Sequence, residues 1–241
     1  MATAAAQDKT WWRMIVVGGH TRSIGKTQLV CDIIRAFPRT EWTAGKITQY
    51  GHGVCARNGE NCDCAPNEHA CALNWETQAD SGTDSARFLG AGAKRSFWLR
   101  TKQGYLAEGL PLLREAVAGV ASTTGSPRRT TSDPSPAAEN SAWIVESNSL
   151  MQFVRPSLYF AVIDPLKDDF KESAQVALDR AEALVLRGEV GEASPAALWM
   201  KLPARLMREK PTVLQREGEP LPEPLRELVH RMLQEPPSTS F

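Results

Sequence analysis

The sequence has no excess of charge of either sign and no long apolar run. Lysine plus arginine and aspartate plus glutamate each number 28 in a chain of 241 residues, so no overall field favours nucleic acid or an anionic membrane surface. No apolar run approaches the roughly 20 residues of a membrane-spanning helix. The N-terminal segment "MATAAAQDKTWWR" carries charges where a secretion signal needs an apolar stretch. We therefore expect a cytoplasmic protein without a nucleic-acid or membrane partner.

The sequence also lacks internal repeats, and one stretch is almost without apolar side chains. A hydrophobic content of 42% in a chain of this length can bury one core. The polar stretch "STTGSPRRTTSDPSPAAENS", residues 122–141, is expected to be a disordered surface loop. A cysteine-rich segment within residues 51–79 interrupts the pattern a second time. We expect a single domain over residues 1–241 that carries these two insertions.

Elsewhere, short apolar runs alternate with stretches of helical periodicity. The predicted strands are "RMIVVGG", "WTAGKITQY", "SFWLRT", "AWIVES", "LYFAVID", "ALVLRG" and "PTVLQ". The predicted helices are "KTQLVCDIIRAF", "TDSARFLGAGA", "LAEGLPLLREAVAGV", "DFKESAQVALDRA" and "PEPLRELVHRMLQ". Strands that alternate with helices favour an α/β fold with a parallel sheet and crossover helices.

The stretch "VVGGHTRSIGKTQLV", residues 16–30, resembles a phosphate-binding loop with an unusual spacing. The pattern G-x-x-x-x-G-K-[ST] would place its first glycine at His20, whereas the nearest glycine is Gly19. A predicted buried strand precedes Gly25-Lys26-Thr27, and a predicted helix follows it and stops before Pro38. A phosphate-binding loop needs this order of strand, loop and helix. The sequence therefore predicts a nucleotide site.

Residue types in and near this loop suit the binding of a magnesium nucleotide. Backbone N–H groups of the loop and of the next helix bind phosphate oxygens. Lys26 is placed to bridge the β- and γ-phosphates, and the Thr27 hydroxyl to ligate Mg²⁺. Glu146 ends another predicted strand and could supply a carboxylate on the magnesium side, or it could be a solvated residue after the strand. Lys46 also ends a predicted strand and could supply a cation beside the phosphates, or it could be a surface charge. The predicted nucleotide contacts in the loop are Gly19, His20, Thr21, Arg22, Ser23, Ile24, Gly25, Lys26, Thr27 and Gln28.

Several motifs resemble those of known families. The loop G-x(5)-G-K-T, from Gly19 to Thr27, has the spacing of dethiobiotin synthetase and cobyrinic acid synthetase relatives. The segments "GKITQYGH" and "SGTDSARFLGAGA" resemble the molybdopterin-guanine dinucleotide biosynthesis protein B family, whose V-E-G strand end is matched by "IVESNS". The resemblance covers residues 13–190, with the loop and the block from Asp84 to Ala93 as its specific parts.

This resemblance implies a three-layer P-loop NTPase fold of the SIMIBI class, with a mostly parallel sheet flanked by helices. That class includes nitrogenase iron protein-like and metallochaperone GTPases and is commonly dimeric. The sequence departs from the family in two places, because Ser147 replaces the glycine after the strand-end glutamate and "ALVLRGE" stands where "VLNK" is expected. The choice between ATP and GTP therefore stays open.

The resemblance also implies roles for individual residues. It gives Lys26 and Thr27 the nucleotide and magnesium roles, and Lys46 that of the phosphate-side lysine. Asp84 and Arg87 would lie near the nucleotide or the partner of a homodimer. The residues expected to take part in catalysis are Lys26, Lys46, Asp84 and Glu146.

The segment "HGVCARNGENCDCAPNEHAC" carries four thiols with the spacing C-x(6)-C-x-C-x(6)-C. Four thiolates suit structural Zn²⁺, which we prefer, or an iron–sulfur cluster; the remaining alternative is a set of free thiols in an exposed loop. His69 competes with the last cysteine for the fourth position. Cys31, by contrast, lies on the core-facing side of the helix after the loop and is expected to be a small core residue. The expected metal ligands are Cys55, Cys62, Cys64 and Cys71.

Two functions fit these features. The first is a Mg²⁺-dependent NTPase or phosphotransferase that binds ATP or GTP and assists cofactor assembly, with its cysteine-bound metal beside the nucleotide. The second is a binding module in which nucleotide switches a metal carrier or sensor without turnover. A nucleic-acid-binding zinc protein is disfavoured, because the chain has balanced charge and no basic stripe.

Overall fold

The computed structural model describes residues 13–50, 70–122, 140–167, 169–187 and 204–237. Cys55, Cys62 and Cys64 lie outside these ranges, as does most of the polar stretch at 122–141. The cysteine-metal prediction therefore depends on residues beyond the described part of the chain.

The described strands form one eight-stranded sheet. The strands are β1 Met14–Gly19, β2 Glu41–Tyr50, β3 Cys71–Trp75, β4 Arg95–Lys102, β5 Ser141–Glu146, β6 Leu158–Ile163, β7 Ala183–Leu186 and β8 Thr212–Leu214. Their order in the sheet is β3-β4-β2-β5-β1-β6-β7-β8, and all neighbours are parallel except the antiparallel pair β3–β4. All seven predicted strands are present.

Helices cover both faces of the sheet and give the expected three-layer α/β fold. One face packs against α1 and α6 and against Phe88 of α2, and the other face packs against α3. No helix in the described residues is both long and apolar enough to cross a membrane. The bounds are α1 Lys26–Ala36, α2 Asp84–Gly90, α3 Leu106–Ser122, α4 Glu172–Gln175, α5 Ala204–Glu209 and α6 Glu223–Gln234.

The central strands are buried along their whole length because helices pack on both sides of them. Every residue of β1 and of β6 is buried, which suits a parallel strand covered on both faces. Alternate side chains enter opposite layers: Met14 and Val16 pack in the layer with α3, and Ile15 and Val17 pack in the layer with α1. Cys31 is 1% exposed in the α1 layer, which confirms that it is a core residue.

The segment predicted as a metal loop, residues 51–79, is partly sheet. Residues Cys71–Trp75 form the edge strand β3, and Leu73 and Trp75 pack against the core. The Trp75 ring also meets the Phe97 ring edge-on at a centroid distance of 5.6 Å. The apolar pattern of Cys71–Trp75 is too short to predict a strand. Apolar packing against β4 stabilises this segment as a strand of the sheet.

The helix predicted over "DFKESAQVALDRA" is wrong for most of its length. The chain forms only the short helix α4 and a 3-10 turn at Leu178–Arg180. Both ends of this segment are held by backbone hydrogen bonds, from Lys171 N–H to the His20 carbonyl and from Glu182 N–H to the Tyr159 carbonyl. These tertiary contacts override the local helical preference.

The carboxyl ends of the parallel strands meet at one edge of the sheet. Glu146 is the last residue of β5, as predicted. Lys46 was expected at a strand end but lies inside β2, which continues to Tyr50. It is nevertheless the last β2 residue paired with β5, where it lies opposite Glu146. The sheet therefore places the two predicted side chains next to each other.

Candidate nucleotide site

The loop between β1 and α1 ends in a left-handed turn. Ser23 has φ 50° and Gly25 has φ 84°. The positive φ of Gly25 favours glycine, and a Cβ there would crowd the Arg187 side chain at 3.1 Å from its Cδ and Nε. No side chain caps the start of α1. The first-turn N–H groups of α1, which have no partner within the helix, are therefore available to an anion.

The first part of the loop is bound into the fold. The His20 N–H donates to the Val162 carbonyl at 3.2 Å, and the His20 carbonyl accepts from the Lys171 N–H at 2.8 Å. The imidazole is 3% exposed and its Nδ1 accepts from the Asp164 N–H at 3.4 Å. Burial lowers the pKa of His20, so the ring is neutral at pH 7. These contacts give His20 a structural position at the base of the loop.

Gly19 is held in the same way by Asn148, which follows β5. The Asn148 amide accepts from the Gly19 N–H and donates to the Gly19 carbonyl, both at 2.7 Å. Gly19, His20 and Thr21 do not line the large cavity at the sheet edge, whereas residues 22–28 do. The part of the loop open to a ligand is therefore its second half and the start of α1.

The segment after β6 supports the loop from the other side. The Thr21 hydroxyl donates to Asp169, and the Lys167 ammonium donates to the Ser23 carbonyl at 2.8 Å. Lys171, from the same segment, lines the cavity. Sequence reasoning missed these residues, although their place directly after a buried parallel strand was the available signal.

The magnesium-side residues predicted from the sequence form one cluster. The Thr27 hydroxyl donates to Glu146 Oε2 at 2.7 Å, and Lys46 Nζ lies 3.4 Å from Glu146 Oε1. Lys46 also donates to the Asp84 carboxylate at the start of α2. Glu146 is only 5% exposed, so its charge is held by these partners instead of by water.

A second set of polar contacts joins α2 to α1. Arg87 Nη1 lies 3.7 Å from Asp84 Oδ1, and Arg87 Nη2 donates to Gln28 Oε1 at 2.8 Å. The Gln28 amide in turn donates to Asp32 at 2.7 Å, and Asp32 lies 3.2 Å from Arg187 Nη2. A chain of hydrogen bonds and ion pairs therefore borders the cavity from Lys46 to the end of β7.

Two lysines in the site have opposite pKa shifts. Burial lowers the pKa of Lys26 to about 8. The nearby Glu146 carboxylate opposes this shift, and the Lys171 and Lys46 ammonium groups add to it. Burial also opposes the charge of Lys46, but Glu146 and Asp84 outweigh it and raise the pKa of Lys46. The Lys26 ammonium donates to the Thr21 carbonyl at 2.6 Å. Lys26 is therefore the cation that an incoming phosphate would stabilise most.

The cavity that these residues line has a volume of about 1400 Å³. It lies at the carboxyl edge of the sheet, where ligands bind in open α/β folds. Cations line it at several positions, namely Arg22, Lys26, Lys46, Arg87, Lys171, Arg187 and Arg216. Carboxylates line it as well, namely Asp84, Glu146, Asp164, Glu172 and Glu217. This polar lining suits a charged ligand that carries both phosphate and a cation better than a small apolar one.

The cavity offers hard oxygen donors to Mg²⁺ in Thr27 and Glu146, which Mg²⁺ prefers together with water and phosphate oxygens. Among the described residues, no group of three or more His, Cys, Asp or Glu side chains could hold a metal unaided. The one expected thiol ligand in this part of the chain, Cys71, is half-buried and donates to the Tyr105 carbonyl at 3.4 Å.

The chain has little similarity to known proteins. No family model matches the chain, and no curated protein matches it. Among solved structures, HypB from Helicobacter pylori in complex with nickel is 12% identical, with a TM-score of 0.43, over 91% of this chain and 84% of that one. At this level of similarity the likeness adds nothing to the assignment of function.

The lowered pKa of Lys26 predicts a pH dependence of anion binding. Bound phosphate stabilises the ammonium form, so the pKa of Lys26 rises on binding and a proton is taken up when the free amine is neutral. Below about pH 8 the protonation of Lys26 should not change the affinity for a triphosphate. Above about pH 8 the affinity should fall by up to about tenfold for each pH unit. The terminal phosphate, with a pKa of about 6, is fully ionised in that range.

Calorimetric titration from pH 7 to 10, in two buffers of different ionisation enthalpy, measures both the affinity and the proton uptake. Lys26→Arg is the matched control, because arginine stays charged and should flatten the profile. A wild-type affinity that does not change between pH 7.5 and 9.5 contradicts the assignment of Lys26 as the phosphate-binding cation.

Proposed function

We propose that the chain binds a magnesium nucleoside triphosphate, with the triphosphate at the start of α1. The hydrogen bond between Thr27 and Glu146 carries this proposal. It brings the hydroxyl of a Gly-Lys-Thr loop and a strand-end carboxylate to 2.7 Å from each other, at the wall of the cavity. Those are the two protein oxygens that a phosphate loop and a neighbouring strand supply to Mg²⁺.

In this site Thr27 and Glu146 would hold Mg²⁺ directly or through water. The ion would neutralise charge on the β- and γ-phosphate oxygens and orient them. Lys26 would leave the Thr21 carbonyl for a phosphate oxygen, a stronger charge-assisted partner. The uncapped N–H groups of the first α1 turn would bind further oxygens.

Lys46 supports turnover as well as binding in this proposal. Its ammonium is fixed between Glu146 and Asp84, so its position needs little reorganisation when negative charge develops on the transferred phosphoryl group. Arg87 contacts Asp84 and Gln28 and would hold that carboxylate in place. We infer that the protein is an NTPase or phosphotransferase that acts in cofactor biosynthesis, the role that the resemblance of its motifs implies.

The alternative is a nucleotide-switched metal carrier or sensor without intrinsic turnover. Both functions use the same fold, so turnover has to decide between them. Release of phosphate from ATP and GTP by the purified protein, with and without candidate partner proteins, is the measurement. Hydrolysis by the protein alone favours the enzyme, and binding without hydrolysis under all conditions favours the switch.

We propose further that Cys55, Cys62 and Cys64, with Cys71 or His69, bind zinc or an iron–sulfur cluster beside the nucleotide. The described flanks of this segment support its location. The Tyr50 carbonyl accepts from the Gln103 N–H at 2.9 Å, and the Ala70 carbonyl accepts from the Lys102 N–H at 2.7 Å. Both flanks are therefore attached to the end of β4, at the sheet edge that carries Lys46.

Replacing Cys62 and Cys64 together by serine should abolish metal binding and reduce reaction or acceptor binding, while Mg-nucleotide affinity survives. Serine is a poor ligand for a metal that prefers thiolate. Metal content by elemental analysis, with an absorption spectrum of anaerobically purified protein, measures the loss and separates zinc from iron. Cys31→Ser is the control, since Cys31 is buried in the core. An unchanged metal content in the double variant contradicts the assignment.

A further inference from the structure

The two edge strands of the sheet differ in how they are protected against pairing with another strand. The β8 edge, Thr212–Leu214, is very short and Pro211 directly precedes it. The β3 edge has the length of an ordinary strand, and its sequence "CALNW" contains neither proline nor a charged residue. Proteins usually blunt an open edge with proline, with charge or by keeping the strand very short. The β3 edge therefore lacks the usual protection within its own sequence.

The backbone of β3 presents polar groups along this edge. The carbonyl of Ala70, directly before β3, accepts from the Lys102 N–H of β4 at 2.7 Å. Successive residues of an antiparallel strand direct their backbone groups to opposite sides. The N–H and C=O groups of Cys71, Leu73 and Trp75 therefore point away from β4. In the described part of the chain no strand pairs with them, since β3 ends the sheet.

The two faces of the sheet beside this edge differ in chemistry. On one face, Leu73 and Trp75 pack against the core. On the other face, Arg100 Nη2 donates to Asn74 Oδ1 at 2.7 Å, and the Arg100 guanidinium lies 4.9 Å from the centroid of the Trp98 ring. A strand added to this edge would place alternate side chains on the two faces. One row would lie beside apolar groups and the other beside a cation.

The charged residues of β4 are all cations, namely Arg95, Arg100 and Lys102. Among the described residues none of the three forms an ion pair. They lie over aromatic rings instead, with Arg95 4.2 Å from the Trp75 centroid and Lys102 5.6 Å from the Tyr105 centroid. Arginine and large aromatic residues are enriched at protein interfaces. The composition of this edge is therefore that of a protein-binding surface.

Two carboxylates lie near this edge on other elements. Glu76, directly after β3, accepts from the Thr83 hydroxyl at 2.8 Å, at the start of α2. Glu108 of α3 lies near Cys71, where burial and then this carboxylate raise the pKa of the Cys71 thiol. Within the described ranges neither carboxylate forms an ion pair with a β4 cation. The β3–β4 pair thus keeps an excess of positive charge, which is complementary to an acidic partner.

We propose that the β3 edge binds an extended segment of a partner protein in which acidic and apolar residues alternate. This inference goes beyond the proposed function and does not depend on the nucleotide site. The backbone of the segment pairs with the outward N–H and C=O groups of β3 and extends the sheet. Its acidic side chains lie on the face of Arg100 and Lys102, and its apolar side chains lie on the face of Leu73 and Trp75.

Other occupants fit this edge less well. Pairing of β3 with β3 of a second copy would bring the Arg100 and Lys102 cations of both chains close together, which is unfavourable. Single-stranded nucleic acid would match the positive charge, but its bases need open aromatic faces for stacking. Each of the Trp75, Trp98 and Tyr105 rings already has a cation over one face.

Fluorescence anisotropy with labelled peptides tests this inference on the full chain. The probe alternates glutamate and valine over about eight residues, which is enough to span β3. We expect it to bind at least about tenfold more tightly than a lysine–valine peptide and than the same acidic peptide N-methylated at every residue, which cannot pair as a strand. Equal binding of either control peptide overturns the proposal. No binding of the acidic peptide at about 1 mM, or tighter binding of an oligothymidine of similar length, also overturns it.

Variants assign the peptide binding to this edge. The double variant Arg100→Gln with Lys102→Gln should weaken binding of the acidic peptide about fivefold or more and leave Mg-triphosphate affinity unchanged. Arg226→Gln, on α6, is the matched control and should bind the peptide as wild type does. Undiminished peptide binding in the folded double variant overturns the proposal. Because peptide and triphosphate are titrated separately, failure of this inference leaves the proposed function standing.

Discussion

Replacing Lys26 by methionine is expected to abolish triphosphate binding and, at the same time, to stabilise the unliganded protein. Lys26 is a half-buried lysine at the start of α1. In the described structure its ammonium has no ion-pair partner and donates to the Thr21 carbonyl. Each charge-assisted hydrogen bond from Lys26 to a phosphate oxygen contributes about 1.5–3 kcal/mol to the binding free energy. Loss of two such bonds lowers affinity by at least about 100-fold.

The gain in stability follows from the lowered pKa of the same group. Its pKa falls from 10.5 to about 8 on folding, so the folded state carries an unfavourable charge below pH 8. Because Lys26 keeps some contact with solvent, we expect Lys26→Met to raise the free energy of unfolding by about 1–2 kcal/mol at pH 7. The gain should shrink as the pH rises from 8 to 10.5, where wild-type Lys26 loses its proton in both states.

Calorimetric titration with Mg-ATP and thermal unfolding at pH 7 and pH 10 measure both effects. Lys94→Met is the matched control, since Lys94 pairs with Glu41 on the surface at 2.6 Å and should change neither quantity by much. Wild-type affinity in Lys26→Met would falsify the phosphate role. A loss of stability at pH 7 would contradict the electrostatic account of Lys26.

The substitution Glu146→Gln is expected to reduce turnover by about 100-fold or more while changing nucleotide affinity by less than about tenfold. Its carboxylate is buried against Thr27 and Lys46. In the proposed site the charge acts through Mg²⁺ and Lys46 on the phosphoryl group, where negative charge grows in the transition state. Glutamine keeps the shape and the contact with Thr27 but removes the charge.

Steady-state kinetics and direct binding on the same preparations separate the two effects. Asp84→Asn is the comparison, because it removes the other carboxylate partner of Lys46 but leaves the Thr27–Glu146 bond. We expect a smaller loss of turnover in Asp84→Asn than in Glu146→Gln. Equal losses of turnover and affinity in Glu146→Gln would show a structural role and not a catalytic one.

Much of the fold followed from continuous apolar runs. The strands in "RMIVVGG" and "LYFAVID" are predictable because parallel strands buried on both faces need apolar residues at most positions. Met14–Gly19 and Leu158–Ile163 are buried at every position. The edge strand Cys71–Trp75 was not predictable, because its short pattern depends on packing against β4. The broken helix at 169–181 shows the same limit, since contacts with His20 and Tyr159 decide its conformation.

The site was predictable to the extent that its chemistry is local in sequence. Gly25-Lys26-Thr27 is a contiguous motif, and Glu146 is marked by its place at the end of a buried strand. The contact of Lys46 with both Glu146 and Asp84 needed the register of β2 against β5. Asn148, Lys167 and Asp169 are ordinary loop residues in the sequence, and only their hydrogen bonds to the loop between β1 and α1 mark them as part of the site.

The central claim is that Thr27 and Glu146 bind Mg²⁺ together with a triphosphate, and one titration tests it most directly. A non-hydrolysable triphosphate is titrated into wild type, Thr27→Ser and Thr27→Ala, with Mg²⁺ and with a chelator. Wild type and Thr27→Ser should bind at least about tenfold more tightly with Mg²⁺, because serine keeps the hydroxyl ligand. Thr27→Ala should lose that gain. Equal affinity with and without Mg²⁺ in wild type, or an undiminished gain in Thr27→Ala, would contradict the claim.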